Sequence, residues 1–132
     1  MKTSELMLGD YVSTPKGIFR VTAIQDNDVI FTDYADDITG AVDIEDVQPV
    51  PLTEEIIEKN GFEKQTDEFG KEYYDLAGPD FCLLNVDNIW WFGQMAYESV
   101  MHYRPDPIFA VNKVHKLQHA LRMCDVEKEM VL

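Results

Sequence analysis

The sequence predicts an α+β protein in which a small β-barrel, residues 1–51, precedes an α+β region, residues 52–132. Three observations predict this arrangement. Short β-branched and aromatic runs separated by turn residues fill the first region, a spacing typical of small barrels. The alternating prolines of Q-P-V-P at residues 48–51 favour an extended linker or an edge strand. The run V-H-K-L-Q-H-A-L-R-M at residues 114–123 has the apolar period of an amphipathic helix.

Tight turns organise the first region. Thr14-Pro15-Lys16-Gly17 has turn chemistry, because proline presets φ at the second position and glycine suits the fourth. Strands are predicted at residues 11–12, 18–24, 29–32 or 29–34, and 41–43. The opening E-L-M-L-G-D-Y-V, followed by a turn and I-F-R-V, resembles SH3-like barrels that begin with G-D-x-V. The resemblance implies an SH3-like fold for residues 1–51.

The second region opens with a well-marked short helix. Thr53 is the predicted N-cap, and Glu54 lies in the first turn, where the helix dipole favours negative charge. Leu52 and Ile57 have the spacing of a hydrophobic staple. Gly61 follows Asn60 and suits the left-handed conformation that ends many helices.

An antiparallel sheet is predicted to follow, because the chain is again rich in strand-forming residues. Strands are expected at residues 62–65, 71–76, 81–86 and 89–92, whereas residues 97–103 fit a strand or a helical turn. Pro105 and Pro107 predict a break in the chain. A helix at 112–124, with Asn112 as N-cap, and a terminal strand at 126–132 complete the region.

Charge disfavours several classes of partner. The formal net charge of −14 repels nucleic acid phosphates and anionic membranes, so we expect no direct nucleic acid binding and no membrane association. Eight acidic residues and no Lys or Arg lie between residues 26 and 46. Solvated turns and strand edges explain them most simply, since no D-x-D-x-D-G calcium loop is present. An acidic surface that imitates DNA is the functional alternative.

Motifs for cofactors and covalent catalysis are missing from the sequence. It contains no G-x-x-x-x-G-K-[ST], no G-x-G-x-x-G and no G-x-S-x-G. Cys82 and Cys124 form no C-x-x-C pair and are expected to be free thiols of a reducing compartment. No secretory signal or apolar membrane span is recognisable, so a cytoplasmic location is expected. We predict no cofactor.

His115 and His119 are the candidate metal ligands. Their spacing places both on one face of the predicted helix, as in H-E-x-x-H zinc sites. However, Lys116 replaces the catalytic glutamate, and no third ligand follows at a recognisable spacing. Because Val114, Leu117 and Leu121 form the apolar stripe, we expect the histidines to lie on a solvated flank. A metal-dependent enzyme using His115 and His119 remains the alternative.

The aromatic cluster at Trp90, Trp91 and Tyr97 is the candidate partner-binding surface. Adjacent tryptophans on a strand point to opposite faces, so one is expected inside and the other outside. An exposed tryptophan beside a tyrosine is typical of interface hot spots. The alternative is a pair of core aromatics. The basic groove that accompanies nucleic-acid stacking platforms is missing.

Three segments resemble a family of short proteins from Bacteroidetes genomes and their phages or mobile elements. They are E-L-M-L-G-D-Y-V at 5–12, P-L-T-E-E-I-I-E-K-N-G-F-E at 51–63 and V-H-K-L-Q-H-A-L-R at 114–122. The family has no assigned activity, so the resemblance implies only a cytoplasmic protein of mobile-element origin. Together these features predict a non-enzymatic protein-interaction module, such as an adaptor or inhibitor, whose partner is another protein and whose oligomeric state is open.

Overall fold

The computed structural model describes residues 1–25, 29–35, 38–76, 81–99 and 102–132. In these ranges the chain forms ten strands, two α-helices and two short 3₁₀ turns, so the α+β class is confirmed. The strands are β1 (Tyr11–Thr14), β2 (Gly17–Ile24), β3 (Val29–Ala35), β4 (Ile38–Asp43), β5 (Gln48–Pro49), β6 (Phe62–Thr66), β7 (Glu72–Leu76), β8 (Phe81–Val86), β9 (Ile89–Ser99) and β10 (His102–Ala110). The helices are α1 (Glu54–Lys59) and α2 (Val114–Met123).

The chain divides into two compact units. The N-terminal unit comprises Met1–Pro51 with Lys113–His115, and the C-terminal unit comprises Leu52–Asn112 with Lys116–Leu132. Each unit contains one five-stranded antiparallel sheet. Neither helix of the described ranges is long and apolar enough to span a membrane.

The N-terminal sheet is a meander whose last strand returns to the first. Its strand order is β4-β3-β2-β1-β5, and β5 pairs with β1 through Val12 and Pro49. A 3₁₀ turn, Ile44–Asp46, separates β4 from β5. Within the described ranges the two outer strands do not pair with each other, so the sheet is open and not a closed barrel. The strands predicted for residues 1–51 therefore form an antiparallel sheet, but this sheet does not close into the predicted barrel.

The G-D-x-V opening serves to start this sheet. Gly9 has φ of 88°, which glycine adopts without steric cost. The buried Asp10 accepts a hydrogen bond from the N–H of Met7 at Oδ2, at 2.8 Å. The N–H of Gly9 donates to Val21 O, and the N–H of Val21 donates to Asp10 O. One core cluster then forms on the inner face from Leu6, Val12, Val21, Ile30, Ile44 and Val47.

The C-terminal sheet has strand order β10-β9-β8-β7-β6. The helix α1 that precedes it begins as predicted, because Thr53 Oγ1 accepts a hydrogen bond from the N–H of Ile56 at 3.3 Å. The β8–β9 turn has positive φ at both Asp87 (52°) and Asn88 (65°). This is the turn that suits a two-residue hairpin. Phe92, with no exposed surface, stacks on Phe81 at a ring distance of 5.3 Å.

The predicted chain break at Pro105 and Pro107 is wrong. Both prolines lie inside β10, opposite Met95 and Gly93 of β9. A proline is tolerated in a strand at a sheet edge, where its missing N–H faces away from the ladder, and β10 is the outermost strand. Local sequence does not show that a strand will be at an edge, so the two prolines predict a break where the fold has an edge strand.

Asn112 does not cap α2. Its side-chain Oδ1 accepts a hydrogen bond from the backbone N–H of Trp90 at 2.8 Å, and its carbonyl accepts from Leu52. Lys113, the next residue, forms an isolated antiparallel bridge with Pro51. The helix therefore begins at Val114, two residues later than predicted, because Asn112 bonds to a strand instead.

The predicted terminal strand is also wrong, since residues 126–132 have no regular secondary structure. The segment is held by a side chain rather than by a strand partner. The amide of Asn60 donates to Val131 O at 2.7 Å, and its Oδ1 accepts from Val131 N at 2.8 Å. Met130 beside this pair is buried.

Candidate functional site

His115 is a core residue, so the prediction that it lies on a wet flank is wrong. Its side chain is 2% exposed, and Gln118 one turn along is also buried. His115 and Gln118 of α2 are thus buried in addition to its apolar residues Val114, Leu117 and Leu121. His119 is half-buried. The apolar residues in the sequence gave no sign that the buried face of α2 extends to His115 and Gln118.

The two histidines gain no third ligand from the described residues. Across those ranges, no group of three or more His, Cys, Asp or Glu side chains has the arrangement of a metal site. His102, the remaining histidine, belongs to β10, and its side chain lies outside the described part. Cys82 and Cys124 are not joined in a disulfide; Cys82 is fully buried and Cys124 is half-buried.

The two tryptophans point to opposite faces of the sheet, as predicted. Trp90 is 9% exposed and packs edge-on against Tyr74, with ring centroids 5.7 Å apart. Its ring is therefore mostly buried. Trp91 is half-buried on the other face, opposite Leu84. The Tyr97 backbone lies in β9, but its side chain lies outside the described residues, so the predicted hot spot is only partly described.

Part of the acidic segment also lies outside the described residues, namely Asp26, Asp28, Asp36 and Asp37. Asp33 accepts a hydrogen bond from the N–H of Arg20 at Oδ1, at 2.6 Å. The other three acidic residues, Asp43, Glu45 and Asp46, are exposed at the end of β4 and in the 3₁₀ turn after it. Whether the acids imitate a row of DNA phosphates stays a prediction.

An open cleft of about 380 Å³ lies within the N-terminal unit. It is bounded on one side by the β1–β2 turn and on the other by β4 and the 3₁₀ turn. We call it the β4 cleft. Its lining consists of Thr14, Pro15, Lys16, Phe19, Val29, Thr32, Gly40, Ala41, Val42, Asp43 and Asp46.

The β1–β2 turn gives the β4 cleft a defined wall. Thr14 Oγ1 donates to Gly17 O at 3.0 Å and accepts from the N–H of Lys16 at 3.2 Å. Gly17 has φ of 134°, and an added Cβ would stand 3.4 Å from the ring of Phe19. Glycine at this position therefore lets the Phe19 ring lie close against the turn.

The lining combines apolar surface with charge. Phe19, Val29 and Val42 supply partly buried apolar surface, and the carboxylates of Asp43 and Asp46 stand exposed at the rim. An apolar concavity with a few charged groups is the usual form of a ligand site. This arrangement can hold an apolar side chain and an adjacent positive charge.

Sequence reasoning missed the β4 cleft. Its walls are residues 14–19 and 40–46, which are brought together by the pairing of β2 with β3 and of β3 with β4. The only local signal was the exposed acidic group at the end of β4, which solubility alone also explains.

No protein-family model, curated protein or solved structure matches this chain.

Proposed function

We propose that this protein is a non-enzymatic protein-interaction module whose N-terminal unit binds a basic, extended segment of another protein in the β4 cleft. The observation that carries the proposal is the apolar lining of the cleft with Asp43 and Asp46 at its rim. An adaptor or inhibitor encoded by a mobile element and acting in the cytoplasm would suit such a module.

An SH3-like identity of the N-terminal unit is part of the proposal. Four strands run as a meander, a 3₁₀ turn follows, and a short fifth strand returns to β1. That order and the G-D-x-V opening both support an SH3-like sheet. An open version of such a sheet leaves a concave gap beside its outermost strand, which is where the β4 cleft lies.

The charge of the unit favours a basic partner. Residues 1–51 contain ten acidic residues and three basic ones, for a formal charge of −7. Arg20 is one of the three basic residues, and its guanidinium carbon lies 5.0 Å from the ring centroid of Tyr11. Its Nε–H donates a hydrogen bond to the Tyr11 hydroxyl. A negative field of this kind accelerates encounter with a positive segment and opposes an acidic one.

Binding suits the described lining better than catalysis does. The lining offers threonine hydroxyls, carboxylates and one lysine, but among its described residues no histidine, cysteine or serine. Histidine is the most frequent general acid–base residue, and threonine, lysine and aspartate act as nucleophiles mainly where an adjacent base or a shifted pKa activates them. A carboxylate that is exposed at a rim instead contributes modest ion-pair attraction to a ligand.

The proposal is tested with a heptapeptide probe of alternating basic and apolar residues, Ac-KVKVKVK-NH2. Its affinity for the full chain is measured by fluorescence anisotropy of a labelled copy and compared with that of Ac-EVEVEVE-NH2. We expect saturable binding of the basic peptide only. The double variant Asp43→Asn/Asp46→Asn should bind it about 3- to 10-fold more weakly, since each exposed ion pair contributes roughly 0.2–1 kcal/mol.

The matched control is Glu63→Gln/Glu127→Gln, which removes two exposed charges from the C-terminal unit. It should leave the affinity unchanged within about twofold. Equal loss in both double variants would show attraction to net charge without a site. Absence of saturable binding by the parent chain would overturn the proposal.

A further inference from the structure

Three of the four sheet edges in the described ranges are blocked against an added strand. The edge strand β5 has only two residues, and one is Pro49. The edge strand β6 has exposed polar residues from Glu63 to Thr66, and Lys64 forms ion pairs with Glu72 at 3.3 Å and Glu54 at 3.7 Å. Short length, proline and edge lysine are known protections against strand addition.

The third protected edge is β10, where both prolines face outward. The N–H of Val111 donates to Trp90 O, so Trp90 and alternate residues of β9 turn their backbone groups toward β10. Gly93 and Met95 therefore turn theirs toward β8. Pro107 and Pro105 lie opposite these two residues, so their own backbone groups face away from the sheet, where no N–H is offered.

The remaining edge, β4, keeps its donors. The N–H of Gln25 donates to Val29 O, so Val29 turns its backbone groups toward β2, and Ile30 turns its own toward β4. Ile30 pairs with Val42, and therefore Val42 bonds inward to β3.

By the same alternation, Thr39, Ala41 and Asp43 present their N–H and C=O groups outward along β4. All three residues are exposed. The β4 edge is thus a template for strand pairing, and Ala41 and Asp43 also line the β4 cleft.

We propose that the occupant of the β4 cleft binds as an added β-strand along the outer edge of β4. This inference rests on the proposed function and specifies its binding mode. Main-chain hydrogen bonds to Thr39, Ala41 and Asp43 supply affinity, as in other cases of strand addition. Side chains of a strand alternate between two faces, so apolar residues enter the cleft and basic residues lie near the acidic rim.

The chemistry of the edge selects a basic partner over a second copy of this chain. A symmetric pair of β4 strands would bring two acidic rims together, each with Asp43 and Asp46. Each chain also has a formal net charge of −14. Like charges placed opposite each other on paired strands are destabilising. A segment with lysine or arginine at alternate positions removes that repulsion.

The first test changes only the backbone of the probe. Two forms of Ac-KVKVKVK-NH2 carry N-methyl groups, one on lysines 1, 3 and 5 and the other on valines 2, 4 and 6. An added strand uses one edge only, so we expect one form to lose at least about tenfold in affinity and the other to stay within about twofold. Equal binding by both forms, or equal loss, overturns strand addition.

The second test changes the protein. Ala41→Pro removes one outward N–H at an edge position, as Pro105 and Pro107 do in β10. Ala41→Val keeps that N–H and is the control. We expect about tenfold weaker binding by the proline variant and a change within about twofold for the valine variant. Equal affinities overturn the inference. If the proline variant loses its fold by circular dichroism, the N-methyl result decides.

The two proposals fail differently. If both N-methylated forms bind like the parent peptide and Asp43→Asn/Asp46→Asn still weakens binding, the cleft holds its ligand through side chains alone. The proposed function then survives without the added strand. If the unmodified peptide does not bind, the proposed function itself fails. A dimer of the free chain that Ala41→Pro abolishes, measured by sedimentation, would assign the edge to a second copy.

Discussion

The side chain of Asn60 forms two hydrogen bonds with the backbone of Val131, 71 residues away in the sequence. The amide donates at 2.7 Å and accepts at 2.8 Å, so one side chain takes the place of a strand partner. Asn60 directly follows the last residue of α1, and its side-chain amide also donates a hydrogen bond to Ile56 O. Because Asn60 is only 1% exposed, these bonds are sheltered from water. They fix the last residues of the C-terminal unit to its first helix.

Loss of the Asn60 amide should therefore destabilise the C-terminal unit. We expect Asn60→Ala to lower the free energy of unfolding by about 2–4 kcal/mol, because it leaves the polar groups of Val131 without their partner. Urea denaturation of the full chain measures the change. In a chain shortened to end at residue 130, the same substitution should have a much smaller effect. Additive effects of the two changes would contradict this coupling.

Tyr74 should make stability depend on pH in the alkaline range. Its hydroxyl donates to Glu54 Oε1. Burial, followed by this bond and the charge of Glu54, raises the pKa of Tyr74 well above its ordinary value of 10.0. The neutral form is therefore favoured in the folded state, and its contribution is complete below pH 10.0. It is lost as the pH rises from there toward the folded-state pKa.

Tyr74→Phe tests this linkage. We expect the variant to lose about 1–3 kcal/mol near neutral pH, where the hydroxyl bonds a charged carboxylate. Above pH 10.0 the stability of the parent should fall faster than that of Tyr74→Phe. The measurement is urea unfolding at several pH values for both proteins. Parallel stability curves would show that Tyr74 does not titrate as its surroundings require.

His115 is expected to act in packing. His115→Ala should destabilise the chain by roughly 1–3 kcal/mol because it empties a buried position. Lys116→Ala, at the exposed neighbouring position, should change stability by less than about 0.5 kcal/mol. Thermal unfolding of both variants checks this contrast.

Metal analysis of protein purified without an affinity tag tests the competing role of His115. We expect no stoichiometric zinc. Zinc at one equivalent that disappears in His115→Ala would overturn this expectation and revive the metal-dependent enzyme.

The two prolines of β10 should protect its edge. We expect Pro105→Val/Pro107→Val to restore two outward N–H groups and to cause concentration-dependent self-association. Ile108→Val, an exposed change that adds no donor, is the control. Sedimentation velocity over a range of concentrations distinguishes them. A double variant that sediments like the parent at every concentration would remove the protective role.

Local rules predicted the parts of the fold that local chemistry decides. The Thr53 cap and the strands on either side of the Asp87-Asn88 turn follow from short-range preferences. Pro105 and Pro107 were misjudged because their tolerance depends on which strand becomes the edge. The Asn60–Val131 pair joins residues too distant for any pattern to connect.

The candidate site was hidden for the same reason. Asp43 and Asp46 were visible as acidic residues, but their cleft needs Phe19 and the β1–β2 turn, which only the sheet brings near. The histidine pair had a recognisable spacing, yet burial of His115 depends on what covers α2. Spacing along one helix predicts which residues share a face and does not predict whether that face meets solvent.

The most direct test of the central claim is to map the bound probe by amide chemical shifts. The ¹⁵N-labelled full chain is titrated with Ac-KVKVKVK-NH2 up to about 1 mM, a concentration that detects even weak binding. We predict saturable changes that are largest at Thr39, Ala41 and Asp43 and extend to the lining of the β4 cleft. The largest changes in the C-terminal unit, for example around Trp91, or no saturable change at all, would contradict the account.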